Sequence, residues 1–466
     1  MMPQGSQGHV TVIGGGLAGC EAAWQAARLG CAVDLWEMRP LVMTPAHRSG
    51  SLAELVCSNS LGSSLVDRPL GLLKAELRML GSLLLQCAAA TAVPAGSALA
   101  VDRDLFGAEV TSKIAEHGRI VLRRGEVGHI PEDGPCVVAT GPLTSALLSE
   151  DIARVTGSEW LHFYDAMAPI VSLDSIDMHR AFRGGRYGRG ADDYINCPMD
   201  ETEYRRFVGE LVAAEAHPLH DFEAGDDKFF EACLPVEVIA RRGPDALAYG
   251  PLRPVGLRDP RSNTRPYAVV QLRQENLAGT LYNMVGFQTN LRWTEQERVF
   301  RLIPGLEHAE FVRYGQMHRN TFIVSPALLE PTMQLRSRRC LFFAGQLTGT
   351  EGYVGSILSG LVAGLNAGLV AQGKVPVELP RETMGGALCN YVARSDPARF
   401  QPMKANFGLL SDPEGGRRDK RLHHQRVAQR SLETLGDFWK RQDLHQQMGG
   451  KKAAEDRASG AGQGFA

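Results

Sequence analysis

The sequence predicts an α/β protein in which a Rossmann-like, dinucleotide-binding domain is split into two halves around an inserted α/β second domain. Three observations carry this. A β-branched run at His9–Ile13 stops at glycines and leads into an Ala-rich helical stretch, the strand–turn–helix order of a doubly wound sheet. The same order of strand, glycine loop and small-residue helix returns late in the chain, in "RCLFFAGQLTGTEGYVGSILSGLVAGLNAGLVAQG". Between about 151 and about 335 the texture changes to aromatic- and Arg-bearing segments with many turn residues.

Taken in order, residues 17–29 read as a helix and "CAVDLW" as a second strand. Residues 70–90, "LGLLKAELRMLGSLLLQCAAA", carry apolar side chains at helical spacing and predict a packed helix. "RIVLRRGEV" and "CVVATG" read as short strands. The expected units are a first nucleotide-binding part at 9–150, an inserted substrate-binding domain at 151–335 and a returning part at 336–442. The segment 443–466 is rich in Gly, Ala and charge without periodicity, and a disordered tail is expected there.

Composition narrows the class. The chain has 466 residues, 44% of them apolar, enough for two or three cored domains. Its 50 basic and 52 acidic side chains leave a net charge of -2, so any nucleic-acid surface must be local. Nine cysteines without a Cys-x-x-Cys pair or zinc-like spacing predict reduced thiols, no metal and a cytoplasmic protein. "MMPQGSQGHV" has neither the charged nor the apolar region of a signal peptide, and no uninterrupted apolar run of about 18 residues is present. No membrane span is expected.

Gly14, Gly16 and Gly19, with Gly15, Leu17 and Ala18 between them, form G-x-G-x-x-G between strand and helix. The first glycine allows the tight turn, the second lets backbone approach a pyrophosphate, and the third permits close helix–strand packing. Glu37 ends the second strand, where a carboxylate can accept hydrogen bonds from a ribose. A glycine-rich S-adenosylmethionine site would not require the two later segments, "VVATG" ending at Gly141 and "FFAGQ" with Gly345 and Gln346. Two such places, where the chain could pass adenosine and ribitol, make FAD the expected cofactor.

Two thiols stand apart from the apolar runs that hold Cys20, Cys31, Cys87, Cys136 and Cys340. Cys57, in "ELVCSNSLGSS", lies in a small polar loop whose backbone and hydroxyl donors suit a thiolate. Cys233, in "EACLPVEVIARRG", precedes Arg241 and Arg242. The segments "VIGGGLAGCEAAWQAARLG", "WEMRP", "LVCSNSLGS", "VPAGSALAVDR", "INCPM", "CLPVEVIARRG" and "FFAGQLTGTEGYVGSILSGLVAGLNA" together resemble the folate-dependent, flavin-containing tRNA (uracil-5-)-methyltransferases, over roughly residues 9–440. Their longer GidA-type relatives carry a C-terminal helical extension that is not found here.

The resemblance implies a methylenetetrahydrofolate-dependent FAD enzyme that makes 5-methyluridine in the T-loop of tRNA, with NADPH or NADH as reductant. It places the catalytic cysteines at Cys57 and Cys233. The chemistry needs a thiol because C5 of uracil becomes nucleophilic only after a thiolate adds at C6. Which cysteine adds, and which acts as acid–base group or shields the carbon carrier, stays open. His318 is a candidate to stack on the pterin with Asn320 beside it, and reads equally well as an ordinary loop histidine.

Basic residues cluster at 241–265, where Arg253, Arg258 and Arg265 are the RNA candidates, at 417–430, and at Arg183, Arg186 and Arg189 around Tyr187. A solvated face is the competing reading of each cluster. Two further functions compete: a ribosomal-RNA or GidA-like modification protein, and a small-molecule flavin oxidoreductase. The latter predicts a resolving cysteine near Cys57, and the local sequence holds none.

Overall fold

The strand His9–Ile13 (β1), the helix Leu17–Arg28 (α1) and the strand Ala32–Glu37 (β2) form a right-handed crossover, with β1 and β2 parallel and Val10 opposite Val33. They come from a computed structural model that describes residues 8–157, 161–188, 193–217, 234–411 and 419–442. The tail 443–466 and Cys233 lie outside the described residues.

β1 and β2 are central to a six-stranded sheet. Its order is Gln334–Leu335, Arg338–Phe343, Cys136–Val138, β1, β2 and Ile120–Arg124. All neighbours run parallel except the first two strands. Phe342 pairs with Val137, and Thr11 with Cys136, so the two ends of the chain close one sheet.

On one face of this sheet the helix Tyr353–Ala371 packs against α1. The approach is close because Gly360 and Gly364 face α1: a Cβ on either would stand 2.3 or 2.2 Å from the carbonyl oxygens of Ala18 or Ala22. Its 19 residues are long and apolar enough to cross a membrane by composition alone, although Ser356, Ser359 and Asn366 interrupt the apolar run. In the fold, 83% of that apolar window is buried against protein.

The predicted single helix at 70–90 is two helices, Pro69–Met79 and Leu83–Ala90. Gly81 takes φ +77°, and Ser82 then caps the second helix by accepting from the Leu85 N–H. The apolar periodicity persists across this break because both helices bury leucines in the same core.

Two antiparallel strands, Leu161–Ala166 and Met317–Phe322, carry the chain out of the first sheet's domain and back. Between them lies a second six-stranded antiparallel sheet, ordered Phe182–Arg183, Tyr194–Met199, Ala268–Gln274, Leu281–Met284, Ile170–Ser172 and Phe311–Arg313. The helix Glu201–Ala213 covers it, started by an Asp200/Glu203 capping box, and buries Tyr204 and Phe207 in a core with Phe287 and Phe300.

Candidate active site

The glycine turn shapes a cleft lined by Ile13, Gly14, Gly16, Trp36, Glu37 and Thr140. Space at its glycines is unequal. A Cβ on Gly19 would lie 1.7 Å from the Gly14 carbonyl oxygen, and one on Gly14 would lie 2.6 Å from that of Ala139. A Cβ on Gly16 would meet nothing within 4 Å. The open space therefore lies in front of the N-terminus of α1, where free N–H groups favour a phosphate. Leu17 and Ala18 are buried in the first turn of α1. Gly141 has a positive φ at the Thr140–Thr144 turn bordering the same cleft. The residues present fit a dinucleotide.

Glu37 is buried and accepts from the Gly15 N–H at 2.9 Å and the Arg39 N–H at 2.9 Å. Its carboxylate also pairs with the Arg39 guanidinium at 3.0 Å. Burial would push this carboxyl up, but Arg39 and the backbone donors outweigh it and hold it below the ordinary range. Arg39, only 2% exposed, reaches Glu54 at 3.1 Å as well. One buried cation thus ties Glu37 to the start of the Cys57 loop. The segment "WEMRP" alone does not show that Arg39 is buried against Glu37.

Gly345, at φ +82°, ends the late strand; its N–H donates to Ser359 Oγ at 2.8 Å, and its carbonyl accepts from Thr348 and Thr350 hydroxyls. Gln346 follows, half-buried. Eight residues beyond Gly345, Tyr353 begins the long helix, and its phenol oxygen accepts from the Cys57 and Ser58 N–H groups at 2.8 and 3.1 Å. The backbone of the half-buried Cys57 is thereby tied to the first residue of the long helix.

Three arginines hold the same loop, Arg273 and Arg313 buried and Arg103 largely so. Arg103 donates to the carbonyls of Leu55 and Cys57 and pairs with Glu275 at 2.6 Å. Arg313 donates to the Val56 carbonyl at 2.9 Å. Arg273 reaches Ser58 Oγ at 2.8 Å and Asn59 Oδ1 at 3.0 Å. Burial, with the charges of Arg103 and Arg48, pushes Arg313 down to about 10. Burial lowers Arg273 too; it opposes the charge on Arg103 as well, but Glu275 outweighs it and raises that guanidinium. Arg103 and Arg273 both lie within the electrostatic reach of Cys57. The arrangement presents a half-buried thiol on a loop held by Tyr353 and arginines.

Sequence reasoning missed these arginines. The only local hint is "AVDR", where Asp102 caps the helix that Arg103 begins.

His318 and Asn320 occupy the strand Met317–Phe322, opposite Asp165 and Phe163, and their side chains lie outside the described residues. Arg253, Arg258 and Arg265 are exposed, and Arg258 donates to the Asn263 carbonyl in its own turn. Arg261 pairs with Asp259 at 2.6 Å. Arg189, Arg417 and Arg418 lie outside the described residues. Cys20, Cys31, Cys87 and Cys136 are buried as expected, whereas Cys340 is half-buried near the start of its strand.

A family model described as Glucose inhibited division protein A matches residues 9–375. Two curated relatives are each 58% identical over 429 residues, 92% of this chain. One is the methylenetetrahydrofolate--tRNA-(uracil-5-)-methyltransferase TrmFO of Pelotomaculum thermopropionicum, 98% covered. The other, of the same name, is from Symbiobacterium thermophilum and 96% covered. Among solved structures, Aquifex aeolicus GidA in its form I crystal aligns with a TM-score of 0.66 at 18% identity. That match covers 92% of this chain and 76% of the other, and it is a likeness of fold alone.

Proposed function

Because the chain belongs to the methylenetetrahydrofolate-dependent tRNA (uracil-5-)-methyltransferase family, we propose that it forms 5-methyluridine in the T-loop of tRNA, with bound FAD and with NADPH or NADH as reductant. The observation that carries this is the Cys57 loop, whose backbone is held by Tyr353, Arg103 and Arg313 and whose Ser58 and Asn59 side chains are held by Arg273.

The reaction needs a thiolate to add at C6 of uracil, which makes C5 nucleophilic. After C5 gains its new carbon, its proton must pass to a base; the C6–S bond then breaks and the ring double bond returns. Cys57 and Cys233 are the two thiols for these tasks. Glu37 and the Gly14–Gly19 turn would hold FAD, which supplies carbon-carrier and hydride chemistry when bound. His318 and Asn320 are proposed for the folate, and Arg253, Arg258 and Arg265 for RNA phosphates. The proposed units are 9–150 and 336–442 for FAD and 151–335 for substrate, in a cytoplasmic enzyme.

Isotope tracing tests the donor. Carbon labelled in methylenetetrahydrofolate should appear in unmodified tRNA only when NADPH or NADH is present. Label arriving from S-adenosylmethionine instead would overturn the reading. A tRNA bearing 5-fluorouridine should trap the attacking cysteine as an adduct, since fluorine cannot leave as a proton does. Cys57→Ala and Cys233→Ala should each abolish methylation with FAD retained, and the variant that alone loses the adduct identifies the nucleophile.

A further inference from the structure

Tyr187 is 70% exposed and holds φ 57° and ψ 29°, a left-handed conformation that a bulky side chain adopts only under constraint. The constraint is its neighbour. Arg186 donates to Gln271 Oε1 at 2.8 Å and to the carbonyls of Arg253 and Val255 at 2.8 and 2.7 Å, while the Tyr187 N–H donates to the Gly256 carbonyl at 2.9 Å. A Cβ on Gly256 would stand 3.0, 3.0 and 3.1 Å from three consecutive atoms of the Tyr187 ring. Near-equal distances of that kind put Gly256 under a face of the ring, not at its edge. One ring face is bedded on backbone, and the exposure belongs to the other.

The surroundings are basic. Burial and the charge of Arg253 both lower Arg186, so the two cations lie in each other's field. Arg253 is exposed. Nearby carboxylates are engaged elsewhere: Asp193 accepts from the Gly96 N–H, Asp259 pairs with Arg261, and Asp245 pairs with Arg205.

The position relative to Cys57 follows from strand register. Gln271, which holds Arg186, and Arg273, which holds Ser58 and Asn59, are two residues apart on one strand, opposite Asn196 and Tyr194. They share a sheet face about 7 Å apart. The residue that anchors the arginine behind the ring and the arginine behind the thiol loop are therefore neighbours on one sheet face.

We propose that Tyr187 is a stacking platform for an unpaired base of the RNA substrate, with Arg253 beside it as a phosphate contact. A single-stranded segment is the occupant because it offers a base to the free ring face and a backbone phosphate to Arg253 beside it. This rests on tRNA being the substrate, and it goes further by assigning the surface that orients the strand as its uridine meets Cys57.

The test uses full-length flavoprotein and unmodified tRNA. Tyr187→Gly removes the ring and takes the left-handed backbone without strain; Tyr187→Phe keeps a stacking face. Glycine should weaken tRNA binding about tenfold or more with the salt dependence unchanged, phenylalanine should bind as wild type, and flavin content should stay constant in both. Arg253→Gln should instead flatten the slope of log affinity against log salt by about one unit. Unchanged affinity in Tyr187→Gly overturns the proposal, and an accompanying change in sedimentation would assign the ring to a contact between copies of the chain. Failure of the wild-type protein to bind tRNA would overturn the substrate reading itself.

Discussion

At Gly16 the backbone is extended, φ -76° and ψ -169°, and a side chain would project into open space. Gly16→Val should therefore fold with a melting temperature near that of the wild type, yet lose the yellow colour of bound flavin. Gly19→Val, driven into the Gly14 carbonyl, should fail to fold or melt far lower. Thermal melts and visible absorbance separate the two outcomes. These glycines were legible in the sequence because their constraint is local, one turn between one strand and one helix. The arginines of the Cys57 loop were not, because Arg103, Arg273 and Arg313 stand far apart in the chain, and a sequence gives their charge without their burial. Arg39 escaped for the same reason, although only one residue separates it from Glu37.

Helix Pro69–Met79 carries a buried lysine that donates to backbone carbonyls. Lys74 Nζ donates to the carbonyls of Leu61 at 3.0 Å and Gly62 at 2.7 Å, fixing the strand that follows the Cys57 loop. Burial, with the nearby charge of Arg78, lowers it to about 7. Between that value and the ordinary lysine range the unfolded chain binds a proton that the folded chain has released, so stability rises with pH across this window. Below about 7 both states hold the proton and the slope vanishes. Lys74→Met should lose this rise: the stability gap between wild type and variant should grow between pH 7 and 9, by at most about 1.4 kcal/mol per pH unit. Parallel melting curves across that range would show that Lys74 titrates normally. Apolar spacing identified the helical character of 70–90, but it does not register a break when both pieces bury the same face, and Gly81 with Ser82 was the signal available.

At the scale of the molecule, the inserted sheet does more than hang from the two connecting strands. Arg273 and Arg313 belong to that sheet, and both reach into a loop of the nucleotide-binding domain. Arg273→Met would leave Ser58 and Asn59 without this donor and should destabilise the protein by about 1–3 kcal/mol. Methylation should fall more steeply than stability accounts for at the assay temperature. Flavin content should hold, because Arg273 bonds to Ser58, Asn59 and Asn283, away from the Gly14–Gly19 turn. Full activity in this variant would show that the loop keeps its shape without the inserted sheet. The split of the domain was visible in the sequence because strand–glycine–helix texture recurs at both ends; the contact that makes the two domains one site depends on long-range register, which periodicity does not encode.

The shared sheet also sets a timetable for synthesis. The strand Cys136–Val138 waits for Arg338–Phe343, its neighbour on one side, and about two hundred residues must be translated in between. At ribosomal speeds of about 5–20 residues per second, that edge stays open for roughly 10–40 s. Until it closes, the nascent chain holds a finished glycine turn without the Gly345 segment or Tyr353, and an unpaired parallel edge faces whatever else is nearby. A ribosome stalled before residue 330 should thus present a chain that captures chaperones and not flavin, and release past the long helix should exchange one for the other.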